Sequence, residues 1–352
     1  MKSERKVALV AGATGIIGRG IVEHLSGLDD WEVIAMSRSA PDYQSKGRFV
    51  SADLLEPEDC RDKLGGLGDV THLFFAAYRE MPTEAERVEV NGAMLRNVVE
   101  AIEAAAPGLR RIVLMQGTKY YGCHLGPFKT PARESDPRHM PPNFYYTQQD
   151  FLRARREDKA WAWTALRPDI VCGPGTGHPM NLTMVIAVYA AISKAMGLPL
   201  RFPGRPEAYA ALAEVTDAGL LARASVWAAT EPGCADEAFN ITNGGYFRWQ
   251  HLWPRIAEGF GMEAGPPVPI RLAEFMADKG PVWDDLVRRH ALRPYRYEQI
   301  ASWPFGDFVF GCDYDVISDT TRARRYGFHE AVDTEEMFAR MFRDLRDQRY
   351  IP

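Results

Sequence analysis

The 352-residue sequence predicts an α/β fold, a doubly wound parallel sheet with a smaller C-terminal lobe. Three observations lead there. Apolar strand candidates at 6–11, 31–37, 47–51, 71–77, 110–116 and 161–167 alternate with helical stretches, the pattern of a parallel sheet covered on both faces. The first strand runs into a glycine-rich turn that opens a helix. After residue 171 the alternation weakens, and segments rich in aromatics and proline take over.

The elements follow in chain order. Val7-Ala-Leu-Val-Ala-Gly12-Ala-Thr14-Gly15-Ile16-Ile17-Gly18 is an apolar strand, a turn and the start of a helix over 15–27. Gly12 suits the tight turn, Gly15 lets backbone approach a phosphate, and Gly18 lets the helix pack close to the sheet. The helix over 83–106 repeats Val88, Leu95, Val98, Val99 and Ile102 at helical spacing. Residues 117–142 form a connection long enough to suggest a functional loop. The breaker cluster 173–179 precedes an apolar helix over 181–196. A further strand is expected at 238–241, ending in Asn243-Gly244-Gly245, then a helix over 248–260. The expected domains are 1–172, with 212–247 returning to it, and a substrate lobe formed mostly by 173–211 and 248–352.

Bulk properties exclude several classes. A formal net charge of −5 gives no general attraction to nucleic acid or anionic lipid, and Arg153–Arg156 reads as the solvated face of a helix. No run of about 18 apolar residues suggests a membrane span. Residues 1–6 lead straight into the first strand, so no signal peptide is expected. The scattered cysteines 60, 123, 172, 234 and 312 read as reduced thiols of a cytoplasmic protein. The eight histidines show no metal-ligand spacing, so no metal is expected. The composition fits a monomer or a homodimer.

The glycine turn and helix N-terminus point to a dinucleotide, whose pyrophosphate the free N–H groups attract. The second strand ends in Ser37, Arg38 and Ser39, without the carboxylate that would hold an NAD ribose. Arginine offers a planar fork for a 2′-phosphate, so NADPH is the expected cofactor. Asp53, closing the third strand, is placed for the adenine amino group, or for a cap ahead of the next helix. Leu54, Ala76, Arg167, Pro168 and Ile170 complete the candidate cofactor contacts.

Short-chain reductases usually carry Tyr-x-x-x-Lys on one helix, and that motif is absent here. The candidate helix begins Asn143-Phe144-Tyr145-Tyr146, with Gln149 where the lysine would stand if Tyr145 were the acid. A replacement cation is Lys119 in Gly117-Thr118-Lys119-Tyr120-Tyr121, just past the fifth strand. With Gly126-Pro127-Phe128, Leu166-Arg167-Pro168, Ala238-Phe-Asn-Ile-Thr-Asn-Gly, Pro281-Val-Trp-Asp and Trp303-Pro-Phe-Gly-Asp, the sequence resembles the progesterone 5β-reductase/iridoid synthase-like branch of the extended short-chain dehydrogenase/reductases. The resemblance spans nearly the whole chain and implies a Rossmann fold.

It also implies NADPH-dependent reduction of the C=C bond of an enone or enal, with the family's tyrosine on Tyr145 and its lysine on Lys119. Hydride goes to the β-carbon, and charge gathers on the carbonyl oxygen as an enolate. A phenol with a pKa near ~10 stays protonated and donates to that oxygen, beside an ammonium that favours the charge. Tyr78 and Phe128 are the expected apolar substrate wall. The sequence departs from the family in a longer insert, 120–125, and in Asp169, which replaces a glycine common after Arg-Pro. Two other functions stay open: carbonyl reduction or sugar epimerisation or dehydration by an extended short-chain enzyme, and a noncatalytic NADPH-binding regulator.

Overall fold

The computed structural model describes residues 5–175 and 180–352. Part of the expected breaker cluster, 176–179, lies outside the described residues, as do 1–4, on which the signal-peptide expectation partly rests.

Seven strands form one sheet: β1 Lys6–Ala11, β2 Trp31–Ser37, β3 Arg48–Ser51, β4 His72–Phe75, β5 Arg111–Met115, β6 Ala162–Pro168 and β7 Glu237–Ile241. Their spatial order is β3-β2-β1-β4-β5-β6-β7, and every pairing is parallel. The order reverses between β1 and β4, which opens a crevice at the carboxyl ends of those strands.

Strand alternation sends successive side chains to opposite faces. Leu73 and Phe75 join Ile34, Met36 and Leu114 under helices α2 Pro57–Leu64, α3 Glu84–Ala105 and α4 Phe144–Arg155. Phe74, Val33 and Val113 pack oppositely, against α1 Ile16–Leu25 and a later helix, Ala218–Thr230. Helix α3 starts where Thr83 and Glu86 close a capping box, Thr83 Oγ1 accepting from Glu86 N at 3.2 Å and Glu86 Oε2 from Thr83 N at 3.0 Å.

A third core lies beside the sheet edge. Helix α5 Leu182–Ala195, capped by Asn181 Oδ1 on Met184 N at 3.2 Å, is buried nearly all round. It packs with Trp249, Trp253, Trp283, Phe310 and Phe338. Ala323 and Phe328, from the C-terminal tail, instead pack on the sheet with Trp227 and Phe239. The two halves are tied by Asp217, which caps the Ala218–Thr230 helix through Leu220 N at 2.8 Å and pairs with Arg340. No helix among the described residues is long and apolar enough to cross a membrane.

His72 on β4 is buried against Trp31, its ring centroid 4.9 Å away. Burial, with Arg110, Arg111 and Lys6 nearby, pushes its pKa down to about 4. The unfolded chain takes this proton near pH ~6.5, so the contribution to stability is full above that pH and lost as the pH falls toward 4. Urea midpoints should therefore drop on acidification from pH 7 to 4.5. The drop should be shallower in His72→Gln; an equal drop would assign the loss to other groups.

Candidate active site

A cavity of about 670 Å³ runs along the carboxyl ends of the strands, between the sheet and the aromatic lobe. That is the size of a small-molecule or cofactor site. Gly12, Thr14, Gly15, Ile16 and Ile17 line one end. Gly12 has φ +84°, and a Cβ there would stand 2.7 Å from Ala77 N. Gly18 is set back from the cavity, where a Cβ would collide with Gly12 O. Helix α1 begins without a side-chain cap and without an acidic residue in its first turn. Its N–H groups are open to an anion in the cavity.

Ser37, Arg38, Ser39, Asp53, Leu54 and Ala76 line the same end. Ser37 Oγ donates to Ser39 O at 2.7 Å, and Ser51 Oγ to Arg38 O at 2.9 Å. The Ser37 proton is thus used in shaping the loop that presents Arg38, whose guanidinium makes no ion pair or hydrogen bond among the described residues. Asp53 Oδ1 accepts from Leu55 N at 3.0 Å, a local turn ahead of α2.

At the other end the cavity meets Gly117, Lys119, Tyr145, Pro168 and Ile170. The Tyr145 hydroxyl lies against Gly117: a Cβ there would meet Tyr145 Oη at 3.1 Å and Pro168 O at 3.3 Å. Burial raises the Tyr145 phenol above its ordinary range, and the neighbouring Cys123 and Asp169 push the same way. Such a phenol stays protonated near neutral pH, on a residue that lines the cavity. Tyr146 is occupied elsewhere, its hydroxyl donating to Tyr120 O at 2.6 Å.

Lys119 sits on a short 3-10 turn, Thr118–Tyr121, with its ammonium 5.7 Å from the centroid of the Phe308 ring. No hydrogen bond joins it to Tyr145 among the described residues; the two share the wall. Asn143 holds them together. Its Oδ1 caps α4 through Tyr145 N at 3.0 Å, and its Nδ2 donates to Lys119 O at 2.9 Å. The sequence shows Asn143 only as the start of the candidate helix segment, so neither bond is visible there.

Besides Gly18, two expected site residues lie elsewhere. Phe128 does not line the cavity but packs against the cluster of Tyr120, Tyr121, Ala132 and Tyr146. The Arg167 side chain is buried behind the site and off the cavity wall, while the adjoining Pro168 does reach it. Its guanidinium lies over the Tyr120 ring, 3.4 Å from the centroid. It donates to Gln116 Oε1 at 2.9 Å, Tyr121 Oη at 3.0 Å and Gln149 Oε1 at 3.3 Å. Gln116 in turn donates to Tyr145 O at 3.0 Å. A hidden cation therefore occupies the space that a helix lysine at 149 would need. Tyr78 does line the cavity, its ring 5.5 Å from Phe144. Buried Asp169 and Glu214 are also among the residues around the cavity. No group of three or more His, Cys, Asp or Glu side chains suited to a metal occurs among the described residues.

A family model for a PRISE-like Rossmann-fold domain matches residues 50–352. The chain belongs to the PRISE-like family. This PRISE-like chain is 34% identical over 369 residues to the (S)-8-oxocitronellyl enol synthase of Camptotheca acuminata, covering 99% of this chain and 94% of that protein. It is 36% identical over 349 residues to the 3-oxo-Δ(4,5)-steroid 5-beta-reductase of Arabidopsis thaliana, covering 93% and 88%. Among solved structures it resembles the UDP-glucose 4-epimerase of Thermus thermophilus in complex with NAD. That match has a TM-score of 0.68 and 19% identity, covering 97% of this chain and 99% of that one, a likeness of fold alone.

The buried guanidinium makes a specific demand on position 149. Gln149→Lys sets a second cation against Arg167 in the interior and should cost about 3 kcal/mol or more of unfolding free energy. Gln149→Glu supplies a carboxylate and should cost less. Denaturant unfolding of the two variants checks the order; equal stabilities would remove the electrostatic explanation.

Proposed function

We propose that this protein reduces the C=C bond of α,β-unsaturated carbonyl compounds with NADPH. The observation that carries the reading is that Tyr145 and Lys119 line one cavity at the carboxyl edge of a dinucleotide-type sheet, where burial holds the Tyr145 phenol above its usual range. The names of the two curated relatives, an enol synthase and a steroid 5-beta-reductase, support it.

The residues present fit a dinucleotide. Gly12, where a Cβ would collide with the Ala76–Ala77 backbone, allows the tight turn at the cavity, and the uncapped start of α1 suits a pyrophosphate. Arg38, with Ser39 beside it, is the group available for a 2′-phosphate. Bound NADPH supplies the hydride equivalent. The chain's own part is to hold the carbonyl and receive its charge. Tyr145 donates a hydrogen bond to the carbonyl oxygen and strengthens it as the enolate forms. Lys119 brings positive charge to the same wall, and Asn143 keeps the two segments in register. Tyr78, Phe144, Trp249 and Phe305 give the enone apolar surface.

The test is loss of NADPH absorbance, against NADH, with 2-cyclohexenone, an enal and a Δ4-3-ketosteroid, followed by product identification. Saturated carbonyl products are expected; an allylic alcohol, or no oxidation across the panel, would overturn the reading. Tyr145→Phe should lower turnover by about 10²–10³ with NADPH binding retained; unchanged turnover would remove Tyr145 from the chemistry. Arg38→Ala should raise the KM for NADPH by about 10- to 100-fold and leave that for NADH nearly unchanged. A parallel rise for both cofactors would place the 2′-phosphate elsewhere.

A further inference from the structure

His139 stands where the lysine turn and the tyrosine helix meet, and the proposed reaction leaves it without a part. It lies in the long connection after β5, shortly before Asn143 opens α4. Its ring is set against Gly122, which follows the Lys119 turn with φ +86°; a Cβ there would stand 3.2 Å from His139 Cδ2. The His124 ring packs on it with centroids 5.6 Å apart, and the Tyr146 ring at 5.3 Å. The His139 backbone N–H donates to the Tyr146 hydroxyl at 3.0 Å, so the chain under the ring is tied to α4.

The hydrogen bonds around the ring leave one arrangement. His139 Nδ1 is 2.8 Å from Met140 O, and a carbonyl oxygen only accepts, so Nδ1 carries the proton. In the neutral ring Nε2 is then an acceptor, 3.2 Å from Asn143 Nδ2. The Asn143 amide has two protons to give. One goes to Lys119 O at 2.9 Å and the other to His139 Nε2, while Oδ1 takes the Tyr145 N–H at 3.0 Å. Lys119 O, 3.3 Å from Nε2, is served by Asn143 and by Gly122 N at 3.2 Å. Asn143 is 5% exposed, so without the ring nitrogen one of its protons loses its partner in the interior, and the amide is held on two sides instead of three.

We propose that His139 is a positioning residue that acts through Asn143 to hold the Lys119 turn against the Tyr145 helix. Its part in the reaction rests on the enone-reduction reading; the clamp itself does not. His139 does not line the cavity, so its effect reaches a substrate only by way of the residues it holds in register. A four-residue 3-10 turn has few bonds of its own, and the side chains around Lys119 O decide where the ammonium stands.

The test compares wild type, His139→Leu and His139→Gln with 2-cyclohexenone and NADPH at about pH 8, where an imidazole is neutral. Leucine fills the space and offers no acceptor; glutamine offers a carbonyl oxygen to Asn143 Nδ2. His139→Leu should lower kcat about three- to tenfold, the effect of one hydrogen bond, and leave the KM for NADPH unchanged. His139→Gln should restore most of the rate. In a Lys119→Met background His139→Leu should cost nothing further, because the group it positions is gone. An unchanged kcat in His139→Leu, a loss that His139→Gln does not restore, or the same fold-loss without Lys119 overturns the proposal. Hydrogen exchange at the Gly122 and Tyr145 amides, which donate to Lys119 O and Asn143 Oδ1, reads the clamp without turnover. Both should exchange faster in His139→Leu and return toward wild type in His139→Gln; unchanged exchange in His139→Leu overturns the clamp. If no enone is reduced, the reaction reading fails, and exchange alone decides.

Discussion

A side chain at residue 12 has nowhere to go. Its Cβ would press on the backbone leaving β4, 2.7 Å from Ala77 N, and the next close approach is Gly18 against Gly12 O. This contact draws the β1–α1 turn onto the end of β4, the place where strand order reverses. Two consequences follow. The open N–H groups of α1 face the crevice instead of the sheet, and the chain leaving β4 through Ala76, Ala77 and Tyr78 becomes cavity wall. Substitution at this turn would press on the backbone leaving β4, so the shape of the crevice depends on atoms that are missing here.

The Tyr145 end of the cavity takes its cation and its phenol from two separate segments instead of one helix. The interior behind α4 is already occupied by the Arg167 guanidinium, which two glutamines and a tyrosine hydroxyl satisfy without a direct carboxylate contact. A second buried cation one turn from Tyr145 would face it with no water to screen the repulsion. Lys119 avoids this by approaching from the opposite segment, the turn after β5, with its ammonium over the Phe308 ring. Asn143 makes the arrangement rigid, because one amide group caps the tyrosine helix and holds the lysine turn.

Much of the framework was legible in the sequence because it obeys local rules. The six strands expected up to residue 167 occur within about two residues of their expected ends, and the strand at Glu237–Ile241 covers the expected 238–241. Apolar runs bounded by glycine and charge leave few alternatives. The Gly12–Gly18 turn and the Ser37–Ser39 strand end are also local, and they do line the cavity or pack beside it. Phe128 and Arg167 were not legible, because both lie near the site in sequence yet their side chains turn inward. What decides their direction is long-range: the Tyr120–Tyr146 cluster for one, and Gln116 and Gln149 for the other. Glu214 carries no local pattern, and its hydrogen-bond partner, Ser318 N, lies more than a hundred residues later.

Burial, together with Asp169, bears on two thiols that line the cavity, Cys123 and Cys312. Enones are soft electrophiles, and the thiolate is the form of cysteine that attacks them. Burial first, and then the charge of Asp169, pushes Cys123 up to about 12; burial, with a contribution from Asp169, pushes Cys312 up to about 11. At neutral pH roughly one such thiol in 10⁴ or fewer is ionised. On the proposed chemistry, the low-dielectric surroundings that keep Tyr145 protonated for donation also keep both sulfurs neutral. Burial, the largest cause at all three groups, therefore preserves the proton donor and spares the substrate from addition to the enzyme.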